Sequence, residues 1–162
     1  HYLYAVLRAV NEIPEFRFRI DAEGRVVYFD HVDMLTPIKV KENGRFFTIR
    51  LPWNTDFQTF YTTAKAIIND IDPNGNPYDM EKVGGKDLLD VILLSATPDL
   101  YFTSLTCTQE HRHGSNYPLM NAGKAILKEG KLVMPIAMTI HHGFIDGHHL
   151  SLFYKKVEKF LK

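Results

Sequence analysis

The sequence predicts a single α/β domain in which at least three helices accompany a mixed β-sheet. Apolar residues recur at helical spacing in three stretches: Leu3, Val6, Leu7, Val10 and Ile13; Phe60, Ala64, Ile67, Ile68 and Ile71; and Leu150, Phe153, Val157 and Leu161. Between these stretches lie short runs that alternate or are continuously apolar, bounded by Gly, Pro and Asp turns. The chain has 162 residues, 45% apolar and 23% charged, the size and balance of one domain with a sizeable core.

The first helical pattern starts at once, with neither an initiating methionine nor a Ser, Thr, Asp or Asn ahead of Leu3 to cap it. An upstream segment is therefore expected, and residues 1–162 are read as one domain lacking its N-terminal piece. The helix should end between Asn11 and Pro14. Phe16-Arg17-Phe18-Arg19-Ile20 alternates strictly and reads as a half-buried strand. Asp21-Ala22-Glu23-Gly24 supplies a turn, and Arg25-Val26-Val27-Tyr28-Phe29 returns to complete a hairpin. Residues 46–51 are a further strand, and the helix from Phe57 should stop at Asp72-Pro73, before a polar loop that reaches Lys86. Residues 90–95 and 100–106 read as strands around Ala96-Thr97-Pro98-Asp99. The apolar run 132–140 reads as a long strand whose Pro135 calls for a bulge or an edge position, and the last helix follows.

Nineteen basic residues balance nineteen acidic ones, so no overall field favours nucleic acid or an anionic membrane. No apolar stretch approaches the length of a membrane span, and no signal peptide is visible. Cys107 is the only cysteine, which excludes an intrachain disulfide and fits a reducing cytoplasm. Nothing near it marks an activated thiolate, and it reads as a packing or pocket-wall residue. The G-x-S-x-G elbow, G-x-G-x-x-G and the Walker loop are absent, and Gly84-Gly85-Lys86 reads as a loop.

The most informative segment is His141-His142-Gly143-Phe144-Ile145-Asp146-Gly147-His148-His149, between the apolar run and the last helix. Imidazole titrates near neutrality and is the natural general base, and Asp146 could orient a ring or fix the turn. A metal site is the obvious rival, yet adjacent histidines match no zinc signature, and His111 and His113 read as solvated loop residues. A polar turn whose histidines have no chemical role is the third reading. No metal is expected.

His141-His142-x-x-x-Asp146-Gly147-x-His149 resembles the signature of the chloramphenicol acetyltransferases. Its H-x-x-x-D-G core is shared with the catalytic domains of dihydrolipoyl acyltransferases, and the doubled histidine and His149 favour the former branch. Ser95-Ala96-x-Pro98 resembles the family's S-A-x-P segment, 47 residues before His142. Pro118, Lys124, the run 132–135, Val10-Asn11 and the turn 52–56 are similar as well, so the resemblance covers nearly the whole sequence.

The resemblance implies a two-layer sandwich, a mixed sheet covered by helices, and an acetyl-CoA-dependent O-acetyltransferase that would confer antibiotic resistance. It implies direct transfer without an acyl-enzyme, with acetyl-CoA a co-substrate rather than a bound cofactor. His142 matches the general base, Ser95 the donor to the tetrahedral oxyanion, and Asp146 a structural aspartate that pairs with an N-terminal arginine in the family. Asn121 falls where well-known members carry a threonine that orients a water and the intermediate. Phe46, Thr48, Cys107 and Leu119 fall at acceptor-pocket positions, and Lys124 is placed to meet a coenzyme phosphate. Asp99 stands in place of a tryptophan and Ala125 in place of an aromatic near the coenzyme. The implied assembly is a homotrimer with active sites between subunits, His142 facing Ser95 of the neighbouring chain, and the partners are self and a small acceptor. Two other functions stay open: an acyltransferase for another alcohol or a dihydrolipoyl-like thiol, and a non-catalytic module that binds coenzyme or a small ligand.

Overall fold

The computed structural model describes residues 1–41, 44–85, 88–106 and 117–162. Helix α1 (Tyr2–Asn11) buries six residues, Tyr4, Ala5, Val6, Leu7, Ala9 and Val10, so its apolar side is broad. Among the described residues no side chain caps its start, but its end is pinned. The Asn11 amide donates to Leu7 O and Val32 O, and its carbonyl accepts the Val32 N–H, each at 2.9 Å. A 3₁₀ turn (Pro14–Arg17) leads into the hairpin of β1 (Phe18–Ile20) and β2 (Val26–Tyr28). Phe16 and Arg17 therefore leave the predicted strand. Pro14 at the first helical position fixes φ for the turn, and Phe16 is driven fully into the core, stacked on Phe153 at 5.4 Å.

Among the described residues the central sheet has five strands, in the order β4-β3-β5-β6-β9. These are β3 (Asp33–Lys39), β4 (Phe46–Leu51), β5 (Val91–Ala96), β6 (Leu119–Ala122) and β9 (Ile136–Thr139). β3 runs parallel to β5 and β5 to β6, while β4 and β9 are antiparallel edges, so the sheet is mixed as expected. Helix α2 (Phe57–Asn69), capped by Asp56 on the Thr59 N–H, and helix α4 (Gly147–Phe160) join α1 over one face of the sheet. Met34, Ile49, Leu51, Ile92, Leu94, Met120 and Ala122 meet Leu7, Val10, Phe60, Phe153 and Val157 there. This is a two-layer arrangement, one helical layer on one sheet.

Other predicted elements change. Strand β3 was not expected, and the loop beginning at Asp72 contains a short helix, α3 (Met80–Val83), with Gly84 at φ +112 closing it. No strand forms among the described residues of 100–106. β5 already has β3 on one side and β6 on the other, so a strand returning from Pro98-Asp99 finds no partner beside it. Leu100 and Phe102 instead fold over Gly123 at the end of β6. The run 132–140 divides into β8 (Lys131–Val133), which pairs with β7 (Ile126–Lys128), and the edge strand β9. Pro135 stands at the break, where its carbonyl accepts from Gly123 N. Among the described residues no helix is long and apolar enough to cross a membrane.

Candidate active site

Alternation along the strands sorts the candidate residues. In β5, Ile92 and Leu94 enter the helix-covered core, so Leu93 and Ser95 point to the opposite face. In β6, Met120 and Ala122 take the core side, leaving Leu119 and Asn121 with Ser95. In β4, Ile49 and Leu51 take it, leaving Phe46, Thr48 and Arg50 opposite. Five candidate positions therefore share one face of the sheet.

Register brings two of them level as well. Ser95 pairs with Asn121, and Asn121 with Ala137. One paired row thus runs through Ser95, Asn121 and Ala137. Leu35 pairs with both Arg50 and Leu93, where the β3–β5 ladder ends; Thr48, paired with Pro37, follows on β4 in the same direction along the sheet as Ser95. Leu119 pairs with Leu93 in the neighbouring row, and Phe46 lies two residues from Thr48 on β4. Lys124 lies beyond the end of β6, exposed, its N–H donating to Leu100 O at 2.8 Å. Cys107 lies outside the described residues, as do His111 and His113.

His142 is not brought to Ser95 within the chain. From Ala137, level with Asn121, β9 runs away from Ser95 through Thr139, which pairs with Leu119. By Ile140 the chain has moved about 10 Å along the sheet before it turns. The turn is tight: the N–H groups of Phe144 and Ile145 both donate to His141 O, at 3.0 and 3.1 Å. Ile145 anchors it, only 2% exposed, and His141 packs on Phe144, which stacks on Phe18. His142 itself is exposed at the crest of this turn.

Asp146 is the N-cap of α4, its carboxylate accepting from the N–H groups of His148 at 2.9 Å and His149 at 3.2 Å. The donation from the His149 N–H is the main reason its carboxyl lies below the ordinary range; slight burial opposes this, and the His148 N–H and the two rings add to it. His149 completes a capping box, its Nδ1 lying 3.1 Å from the Asp146 N–H and 2.9 Å from Oδ1. These contacts belong to different states of the ring: unprotonated Nδ1 accepts from the N–H, and protonated Nδ1 donates to the carboxylate. Nε2 faces Glu15 at 3.6 Å. The described contacts of Asp146 are thus with its own helix, not with an arginine. Asp-x-x-His at a helix start is the signal by which sequence reading could have given His149 this structural role.

Two further residues at the site were not singled out from the sequence. Thr97 donates through Oγ1 to Asn121 Oδ1 at 2.9 Å. Gly123 is enclosed so closely that a Cβ would lie 2.7 Å from the Phe102 ring and 2.8 Å from both Leu100 O and the Pro135 ring. Among the described residues no group of three or more His, Cys, Asp or Glu side chains is placed to hold a metal ion.

The fold is that of acyltransferase catalytic cores. The cubic core of the pyruvate dehydrogenase multienzyme complex shares it with a TM-score of 0.66, at 15% identity over 99% of this chain and 68% of that one. The family follows from the sequence. The family model for chloramphenicol acetyltransferase matches residues 1–158, and the chain belongs to that family. A solved structure of a chloramphenicol acetyltransferase is 70% identical, with a TM-score of 0.92, covering 100% of this chain and 76% of that one. The curated Staphylococcus intermedius chloramphenicol acetyltransferase is 26% identical over 99% of this chain and 73% of its own length. The protein is an acyltransferase of this family.

Proposed function

We propose that the chain is an acetyl-CoA-dependent O-acetyltransferase, a single acyltransferase domain working in the cytoplasm, where acetyl-CoA is at hand. Its active form is a homotrimer in which His142 of one copy works against Ser95 of the next. One observation carries this reading: Ser95, Asn121, Thr48, Phe46 and Leu119 share one face of the sheet, while the chain's own His142 lies at the far end of it. A base contributed by a second copy resolves that separation.

In the proposed reaction His142 takes the proton of the acceptor hydroxyl as its oxygen attacks the thioester carbonyl. The new C–O bond leaves a tetrahedral oxyanion, to which Ser95 donates; one such donor is worth about 3–4 kcal/mol of barrier. Collapse breaks the C–S bond, and the departing coenzyme thiolate recovers the proton from His142. Thr48, Phe46, Leu119 and Cys107 would shape the acceptor pocket, and Lys124 would meet a coenzyme phosphate. Asp146 holds the start of α4 and with it the turn that carries His142. The names of the relatives favour chloramphenicol as acceptor, which would make this an antibiotic-resistance enzyme.

Thiol release from acetyl-CoA, measured with and without chloramphenicol and then with a panel of alcohols and dihydrolipoamide, tests the reading. Chloramphenicol should stimulate release strongly, His142→Ala should abolish it, and Ser95→Ala should slow it by roughly two to three powers of ten. Coenzyme binding without acceptor-stimulated release would identify a binding module instead.

A further inference from the structure

Asn121 is a polar side chain only 8% exposed, on the active face and directly beside Ser95. A carboxamide has two unlike ends of nearly the same shape, an acceptor oxygen and a donor nitrogen, and packing alone hardly distinguishes them. In the structure the Thr97 hydroxyl donates to Oδ1 at 2.9 Å, the arrangement that turns Nδ2 away from Thr97. Thr97 is itself held firmly, its N–H on Ala122 O at 2.8 Å and its carbonyl accepting the Leu100 N–H at 3.1 Å. The enclosed Gly123 lets this corner close over the end of β6. With Oδ1 engaged, the Nδ2 hydrogens have no protein partner among the described residues.

We propose that Thr97 is a positioning residue that fixes the Asn121 carboxamide so that Nδ2 presents an N–H donor beside the Ser95 hydroxyl, supplying a second donor to the oxyanion. The proposal rests on the catalytic reading above, in which Ser95 donates to that oxyanion. A hydroxyl at position 121 can rotate to donate or accept and needs no such selection, whereas an amide does. Thr97 and Asn121 thus act as one unit.

The test is a set of steady-state measurements on the full chain. Thr97→Val, nearly the same shape without the hydroxyl, should lower kcat about tenfold, the rate equivalent of one hydrogen bond, with KM for both substrates little changed. Thr97→Ser should recover most of the loss. In an Asn121→Thr background Thr97→Val should change kcat less than twofold, because the carboxamide it orients is gone. Asn121→Asp, which sets a charged acceptor where the donor stood, should cost far more than Asn121→Ala. If Thr97→Val folds poorly, Thr97→Ala in the wild-type and Asn121→Ala backgrounds carries the same comparison. Wild-type kcat in Thr97→Val, or an equal loss in both backgrounds, overturns the proposal. Full activity in Ser95→Ala overturns the catalytic reading itself, and the two failures are told apart by which variant retains its rate.

Discussion

Arg19 offers the sharpest test of how the fold supports the active face. Its side chain is 1% exposed and faces three carbonyls: Nη1 donates to Phe16 O at 2.8 Å and Phe18 O at 2.7 Å, and Nη2 to Val91 O at 2.7 Å. The last bond ties the hairpin to the start of β5, four residues before Ser95. Burial, with Nε left unpaired, pushes the guanidinium down to about 10, partly opposed by the charges of Asp90 and Tyr117. Arg19→Met keeps the length and removes every donor. Three bonds from a charged donor at about 1.5–3 kcal/mol each, less several kcal/mol for burying the charge, leave a net loss of roughly 3 kcal/mol. Urea unfolding at one fixed protein concentration measures it. Because Arg19 stays protonated in both states below about 10, the loss should not vary with pH across the neutral range. Arg19→Lys, whose ammonium is a point charge that cannot span all three carbonyls, should fall between. A loss below about 1 kcal/mol for Arg19→Met would refute the reasoning, since the bonds would then only repay the burial of the charge.

Three other changes probe the corner and the turn. Gly123→Ala sets a Cβ against the Leu100 carbonyl and the Pro135 ring, groups that cannot rotate away; a loss of about 1–3 kcal/mol is expected in thermal unfolding, with lower kcat as the Thr97 corner shifts. His149→Ala removes one half of the capping box and should cost about 0.5–1 kcal/mol, while His149→Gln, a usual residue at that position, should restore it. The Asp146 carboxyl lies below its ordinary range, so its contribution is complete above that range and lost as pH falls through the lowered value. The melting-point gap between wild type and Asp146→Asn should therefore narrow in acid and vanish below it.

Much of the fold was legible because its cause is local. The helical stripes of α1 and α2 face the core, as do Leu150, Phe153 and Val157 of α4, whereas Leu161, at the end of that helix, is 48% exposed; β4 falls at the expected 46–51. What was missed depends on neighbours in space. β3 contains Pro37, which argues against a central strand, yet its parallel ladder with β5 ends at Leu35, so the proline sits where β3 has only one partner. Tyr101 and Phe102 have strand-like character, but no strand edge is open beside β5 to receive them. At the site, the resemblance supplied His142, Ser95 and Asp146. It could not show that Ser95 and Asn121 are paired and share one face with Thr48, because register is set by pairing between distant segments. The histidine segment now divides by contact: His149 and Asp146 build the helix start, His141 packs on Phe144, and His142 is left exposed.

The central claim is that the base and the oxyanion donor come from different copies. Mixing subunits settles it: denature His142→Ala and Ser95→Ala together in equal amounts, refold, and assay acetyl transfer. In a trimer with sites between subunits, every mixed assembly contains one interface where an intact His142 meets an intact Ser95. Random assortment should then restore about a quarter of the wild-type activity per subunit from two inactive parents. If the mixture stays as inactive as either parent although mixed trimers form, the two residues act within one chain, and the interfacial account is wrong.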